Sequence, residues 1–367
     1  MSSLIERLIV VAVLLCIVLS AQMILQGQQR LPASGNPTAP QLTPQEVLRL
    51  IIRGRKITSE EAESLEKTLV RDPRDLAARF TLIAYYTTGH DKSFRRQKRD
   101  HVLWIIRNVP DSELLHHVVY LRLKQFEEGF GEAKQLWLQQ LDAYKGNLVV
   151  LGNAIDFFLT TDKALAERLT KQGAAAEPNE PRWPRQLGAL YLLQVYTAAG
   201  ETRRGLAALA NQQYEQAFKL TKDDMGKRGL LVELAKSAFE AGQVEQAQTW
   251  AAELLNQGIA KGQDWFPGDE VHQGHITLGR IALLAGNIPE AKQHLIEAGR
   301  TQGSPVLNSF GPNMMLAKEL LEKGERETVI LYFHLCANFW TNHTKLDSWT
   351  TTVKAGGIPD FGANLAY

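Results

Sequence analysis

The side chains of this sequence that could ligate a metal or act as nucleophiles are few, and their spacing suits neither task. His116 and His117 are adjacent, and neighbours on a helix point in different directions. His272 and His275 lie beside Asp269 and Glu270 in a glycine-rich stretch that matches no established ligand spacing. Metal binding is not expected at either pair. Cys336 has His334 two residues away, on another helix face, so it reads as a buried thiol rather than a nucleophile with its base. No phosphate-cradling glycine loop, metalloprotease helix signature or serine elbow occurs. No catalytic residue and no cofactor is therefore expected. An enzyme would need titratable groups gathered from distant segments into one pocket.

Cations are more suggestive. Lys92, Arg95, Arg96, Lys98 and Arg99 precede the apolar run from His101 to Ile106. They can meet lipid headgroups or an acidic partner, or can be the solvated side of a helix whose other side carries Leu103 and Ile106. Lysine and arginine (41) balance aspartate and glutamate (40) across the 367 residues, so no global field draws the chain to nucleic acid and any charge-based binding is local.

The elements that hold these residues are helical. Thr43-Pro44-Gln45-Glu46 combines an N-cap residue, a first-turn proline and a glutamate that can cap back, and Thr58 with Glu61 repeats the device. From there apolar residues recur at spacings of three and four with no convincing alternating segment. The expected class is all-α. One segment runs Leu234-Ala235, Ala238-Phe239, Gly242, Ala247, Ala251, Leu254. Leu278-Gly279, Ala282-Leu283, Gly286, Ala291, Leu295, Ala298 follows the same offsets, and Leu316-Ala317, Leu320-Leu321, Gly324, Val329, Phe333, Cys336 follows them with larger residues in the second helix. Small residues permit close helix approach, and the glycines can take the left-handed turn that ends a helix.

This pattern resembles the tetratricopeptide repeat, strongly over residues 229–340 and loosely from residue 59, through copies at Leu82 with Tyr86, at Asn153-Ala154 and at Leu187-Gly188. In that last copy the second helix, Ala210 to Ala217, is expected to begin late. The resemblance implies an α-α superhelix over residues 43–340. Gly242 to Gly286 spans 44 residues and Gly286 to Gly324 spans 38, against 34 in a regular array; the excess is expected in loops, chiefly Gly258 to Gly274. The resemblance further implies that Lys236, Arg280 and Lys318, each following the small residue, line a concave groove with Phe239, Leu283 and Leu321 and grip an acidic peptide. The alternative is that these cations are good helix formers on a solvated face.

Residues 1–26 contain an apolar stretch from Leu8 to Leu25, interrupted only at Ser20-Ala21-Gln22. Its 18 residues just reach the length of a spanning helix, while its front part would serve as a cleavable signal. The expectation is a single membrane anchor with the body outside the cytoplasm, as in a bacterial envelope protein, or secretion after cleavage. Residues 27–42, rich in proline, glycine and glutamine, read as a linker. Residues 341–367 end in a glycine-rich tail bearing Phe361, Leu365 and Tyr367, expected to cap the last repeat or to be offered to a partner. With Leu307 to Asn313, this ending resembles the closing segment of bacterial repeat proteins. Anchor, linker and repeats together point to a membrane-held scaffold that binds protein partners. A structural subunit of a membrane complex, using its outer face and tail, is the alternative.

Overall fold

The computed structural model describes residues 42–89, 92–117, 128–259 and 268–365. The expected anchor and most of the linker lie outside them. Among the described residues every regular element is a helix, seventeen of them α, and none is long and apolar enough to cross a membrane. The chain divides into two compact units, residues 29–178 and the part from residue 179 onward.

In the first unit, Pro44–Gly54 (α1), Ser59–Arg71 (α2), Leu76–Thr88 (α3) and Lys92–Asn108 (α4) are followed by a 3-10 turn, Glu113–His117. Phe130–Ala143 (α5), Leu148–Phe158 (α6) and Lys163–Ala176 (α7) complete it. Both expected capping boxes form. The Thr43 hydroxyl accepts from the Glu46 amide while the Glu46 carboxylate accepts from the Thr43 amide, and Thr58 and Glu61 do the same. Such caps contribute about 1 kcal/mol each by satisfying amides that the first turn leaves unpaired. Helix α3 is buried between α1, α2 and α4, with Phe80, Leu82, Ile83 and Ala84 removed from solvent. Gly54 permits the closest of these contacts, since a Cβ there would fall 2.3 Å from the Thr81 carbonyl oxygen.

The second unit contains Arg182–Val195 (α8), Gly200–Leu220 (α9), Asp224–Glu240 (α10), Val244–Ile259 (α11), Gly268–Leu284 (α12), Ile288–Gly299 (α13), Pro305–Phe310 (α14), Met315–Glu322 (α15), Arg326–Cys336 (α16) and His343–Lys354 (α17). From α8 to α13 each helix packs on its successor. In addition α10 packs on α12, α12 on α15 and α13 on α16, so first helices meet first helices and second meet second.

The turns recur in detail. Gly242, Gly286 and Gly324 have φ of +79°, +79° and +86°. In each case the glycine amide and the next amide donate back to the helix: Gln243 to Ala238, Asn287 to Ala282 and Glu325 to Leu320, at 2.9, 2.9 and 3.0 Å. This paired closure satisfies carbonyls that the helix end leaves open. Gly356 (φ +87°) makes a fourth copy after α17, at the start of the glycine-rich tail.

Three expectations are corrected. The wide loop drawn from Gly258 to Gly274 is narrower, because α11 continues to Ile259 and α12 begins at Gly268. Gly274 is a packing residue: a Cβ there would lie 2.9 Å from Leu255 Cδ2 and 3.1 Å from the Ala251 carbonyl oxygen. The helix carrying Ala210, Tyr214 and Ala217 does not start late; α9 runs 21 residues from Gly200. Lys98, drawn on a solvated side, is buried at 8% exposure.

The tail folds back onto the second unit. Phe361 is buried against Phe333 and Trp349. Asn364 Nδ2 donates to the carbonyls of Phe310 and Pro312, and its own carbonyl accepts from the Met314 amide at 2.8 Å.

Candidate functional site

The residues expected to line a groove stand on the first helices of three successive pairs: Lys236 and Phe239 on α10, Arg280 and Leu283 on α12, Lys318 and Leu321 on α15. Arg280 is at the centre and is sealed. Its Nε and Nη2 atoms bind the Glu319 carboxylate at 2.8–3.1 Å, and its Nη1 donates to Glu240 at 2.9 Å. Its guanidinium lies 4.2 Å from the centre of the Phe239 ring. Glu240 also accepts from Arg203 of α9 at 2.8 Å. The result is an alternating ladder, Arg203–Glu240–Arg280–Glu319, that ties four helices together.

Burial by itself would raise the Glu240 carboxyl, but the two guanidiniums override it and hold the group below its ordinary 4.5. Burial likewise disfavours the Arg280 charge, and Glu319 and Glu240 more than restore it. Arg280 and Glu240 side chains are each only 12% exposed, so a partner carboxylate reaching for Arg280 would have to displace one already in place. Lys318 is different. Its side chain is 42% exposed, with a loose 3.9 Å contact to Glu322 one turn on, a pairing worth a few tenths of a kcal/mol. Lys236 is half-buried beside Tyr196, whose hydroxyl is pushed up to about 12 by burial, an effect that the Lys236 charge opposes. Leu321 belongs to the core and Leu283 packs against it.

The second basic cluster is divided by the fold. Lys92, Arg95 and Arg96 are exposed. Arg99 is engaged by Asp100 and Glu128.

Two groups of titratable residues were not legible as such. In the first unit Arg79, His101, Glu66 and Tyr86 join α2, α3 and α4. Arg79 can only donate, so His101 Nδ1 accepts from it at 3.2 Å and the ring gives its Nε2–H to Glu66 at 3.0 Å. Both ring nitrogens are used, which leaves no lone pair for general-base work.

In the second unit His272 is fully buried. Its Nδ1–H donates to the Ala298 carbonyl at 2.9 Å and its Nε2 accepts the Asn313 amide at 3.0 Å. Those partners permit only the neutral Nδ1–H form, and burial lowers the group from its ordinary 6.5 to about 4. Between those values the unfolded chain takes up the proton and the folded one does not, so stability is lost as pH falls through 6.5 toward 4. From pH 7.5 to 5 this group is expected to remove about 2 kcal/mol. Urea unfolding at the two pH values measures the loss; a His272→Asn variant should lack that part of it, and an unchanged pH dependence in the variant refutes the assignment.

His275, one turn further along α12, meets His294 of α13 with their Nδ1 atoms 2.9 Å apart. His294 lies nineteen residues away on the second helix of the pair, so the local spacing around His275 gives no sign of it. Among the described residues no group of three or more histidine, cysteine, aspartate or glutamate side chains is placed to hold a metal. Cys336 is buried beside Tyr332, and burial pushes its thiol well above the usual range. No family model matches the chain, and no curated protein matches its sequence.

Proposed function

We propose that this chain is a non-catalytic scaffold that binds a segment of a partner protein along the face presented by α10, α12 and α15. The observation that carries the reading is the threefold recurrence of one device, a first helix closed by a left-handed glycine at Gly242, Gly286 and Gly324 and packed on the next first helix. Helix pairs repeated in this way present the same register position again and again, as tetratricopeptide-like arrays do. In this proposal Lys318 is the accessible cation for an acidic segment and Arg280 is an internal brace. The apolar stretch Leu8 to Leu25 supports the further reading that the scaffold is held at a membrane.

Fluorescence anisotropy with a labelled acidic peptide ending in a free carboxylate tests the grip. Lys318→Glu is expected to weaken binding at least tenfold, equivalent to about 1.4 kcal/mol or more, with the fold unchanged by circular dichroism. Equal affinity in the variant removes the groove reading.

A second reading, a structural subunit that makes its contacts through the opposite face, is favoured by a shallow depression of about 570 Å³ on α13 and α16. Ile288, Pro289, Ile296 and Leu331 line it beside Lys292 and Glu325. Leu331 is 49% exposed. Copurification in a stoichiometric complex that survives Lys318→Glu and is lost in Leu331→Glu would favour this second arrangement.

A further inference from the structure

We propose that His275 and His294 form a two-imidazole clip for a divalent transition-metal ion, copper(II) or nickel(II), joining α12 to α13. Imidazole nitrogen suits these ions, and both prefer ligands at right angles. With metal–nitrogen bonds of about 2.0–2.1 Å, two nitrogens on one ion stand about 2.9 Å apart at right angles and about 3.3 Å apart in a tetrahedral site, so this pair is close enough to share one ion. The observed Nδ1–Nδ1 distance is 2.9 Å. The ring centres are 5.2 Å apart with planes tilted by 41°, so the rings are not stacked. Both rings would turn about the soft Cβ–Cγ torsion to aim their lone pairs at a shared ion, which shifts the nitrogens from their hydrogen-bonded separation.

The surroundings suit the same ion. Metal-bound histidines commonly give their other ring N–H to a carboxylate, which fixes the tautomer and raises ligand basicity. Glu290 stands 4.0 Å from His294 Nε2, on the side away from His275. Burial keeps both imidazoles below their ordinary 6.5, an effect to which His294 adds at His275 and which Glu297 opposes at both. The His294 side chain is 19% exposed and Glu290 55%. Gly279 allows the second helix to come this close: a Cβ there would lie 3.0 Å from His294 Cβ.

Without metal, the same two nitrogens make an ordinary N–H···N hydrogen bond between neutral rings. For an ion to bind, the ring that donates in this pair would shift its proton from Nδ1 to Nε2, which keeps both imidazoles neutral and leaves both Nδ1 lone pairs for the metal; the ion would then brace the hairpin from α12 to α13, which carries Arg280. Stability would then rise with free metal as binding to the folded state requires.

The test uses the full chain without a polyhistidine tag, at pH 7.5, titrated with copper(II) or nickel(II) chloride by calorimetry. Electron paramagnetic resonance of the copper form counts the bound nitrogens. One ion per chain with two imidazole nitrogens is expected, together with a rise in unfolding temperature. His275→Asn and His294→Asn should each weaken binding by at least tenfold while circular dichroism stays native, and Glu290→Gln should weaken it less and keep the stoichiometry. Failure of the wild type to bind, or binding unchanged in both histidine variants, overturns the proposal. Neither outcome bears on the peptide-binding reading, which is tested at Lys318.

Discussion

Arg280→Glu is expected to destabilise the second unit by about 3–5 kcal/mol, enough to unfold it in many backgrounds. The wild-type side chain neutralises two carboxylates, Glu240 and Glu319, that come from helices on either side of α12. Reversal would place three carboxylates around one mostly buried point, with Arg203 left to offset one of them, Glu240. Arg280→Lys is not expected to rescue the site. An ammonium is a single compact charge, whereas the planar guanidinium reaches both carboxylates at once and lies over Phe239. Arg280→Met combined with Glu319→Gln should cost less than Arg280→Met alone, because it removes a charge that the single variant leaves uncompensated. Denaturant unfolding of the four variants, followed by circular dichroism, measures these differences. Arg280→Glu within about 1 kcal/mol of the wild type, the median worth of a surface pair, would show that the ladder is solvated and energetically minor.

This expectation bears on how binding is tested. A charge reversal at Arg280 would abolish peptide capture whether or not the residue touches a peptide, simply by loosening α10, α12 and α15. Lys318 is the informative position, because it makes a loose pairing with an exposed neighbour and its substitution leaves the ladder intact.

How much of this was legible in the sequence follows from the range of each interaction. The capping boxes at Thr43 and Thr58 involve residues three apart, and the turn glycines are fixed by a local backbone conformation, so residue type and spacing carried them. The small residue Gly279 was also legible, because its repeat position requires close approach; a Cβ there would lie 2.3 Å from Leu316 Cδ2. The pairs that define the site were not. Arg280 with Glu240, His275 with His294 and Asn313 with His272 each bring together residues 19 to 41 positions apart. Their meeting depends on the rotation of each helix about its axis, which a pattern of apolar residues sets only to within a broad stripe. Gly274 failed for a related reason. Glycine serves both at turns and where helices touch, and only the neighbour, Leu255 here, distinguishes the two uses.

Phe361→Ala is expected to cost about 3–5 kcal/mol, the range for removing a buried aromatic side chain and leaving a cavity. Helix α17 ends in a fourth copy of the repeated turn, at Gly356, and among the described residues it is followed by a short 3-10 turn, Gly362–Leu365, rather than by an α-helix. The segment from Ile358 to Leu365 covers it instead. Phe361, 1% exposed, meets Trp349 edge-on at 5.0 Å between ring centres and Phe333 at 6.1 Å. The Trp349 indole N–H donates to the Asp360 carbonyl at 3.3 Å. Removing the phenyl ring would uncover Trp349 and Phe333, which belong to the same core as Leu320, Val329 and Trp340, so the loss should spread through α15 and α16 rather than stay at the terminus. Phe361→Leu, which retains most of the apolar volume, should cost markedly less. Urea unfolding read by tryptophan fluorescence and by circular dichroism separates the possibilities. A lowered midpoint in both signals identifies the tail as part of the folded unit, whereas a shift in tryptophan emission with an unchanged midpoint would mean that the tail is a loosely held segment whose release leaves the helices intact.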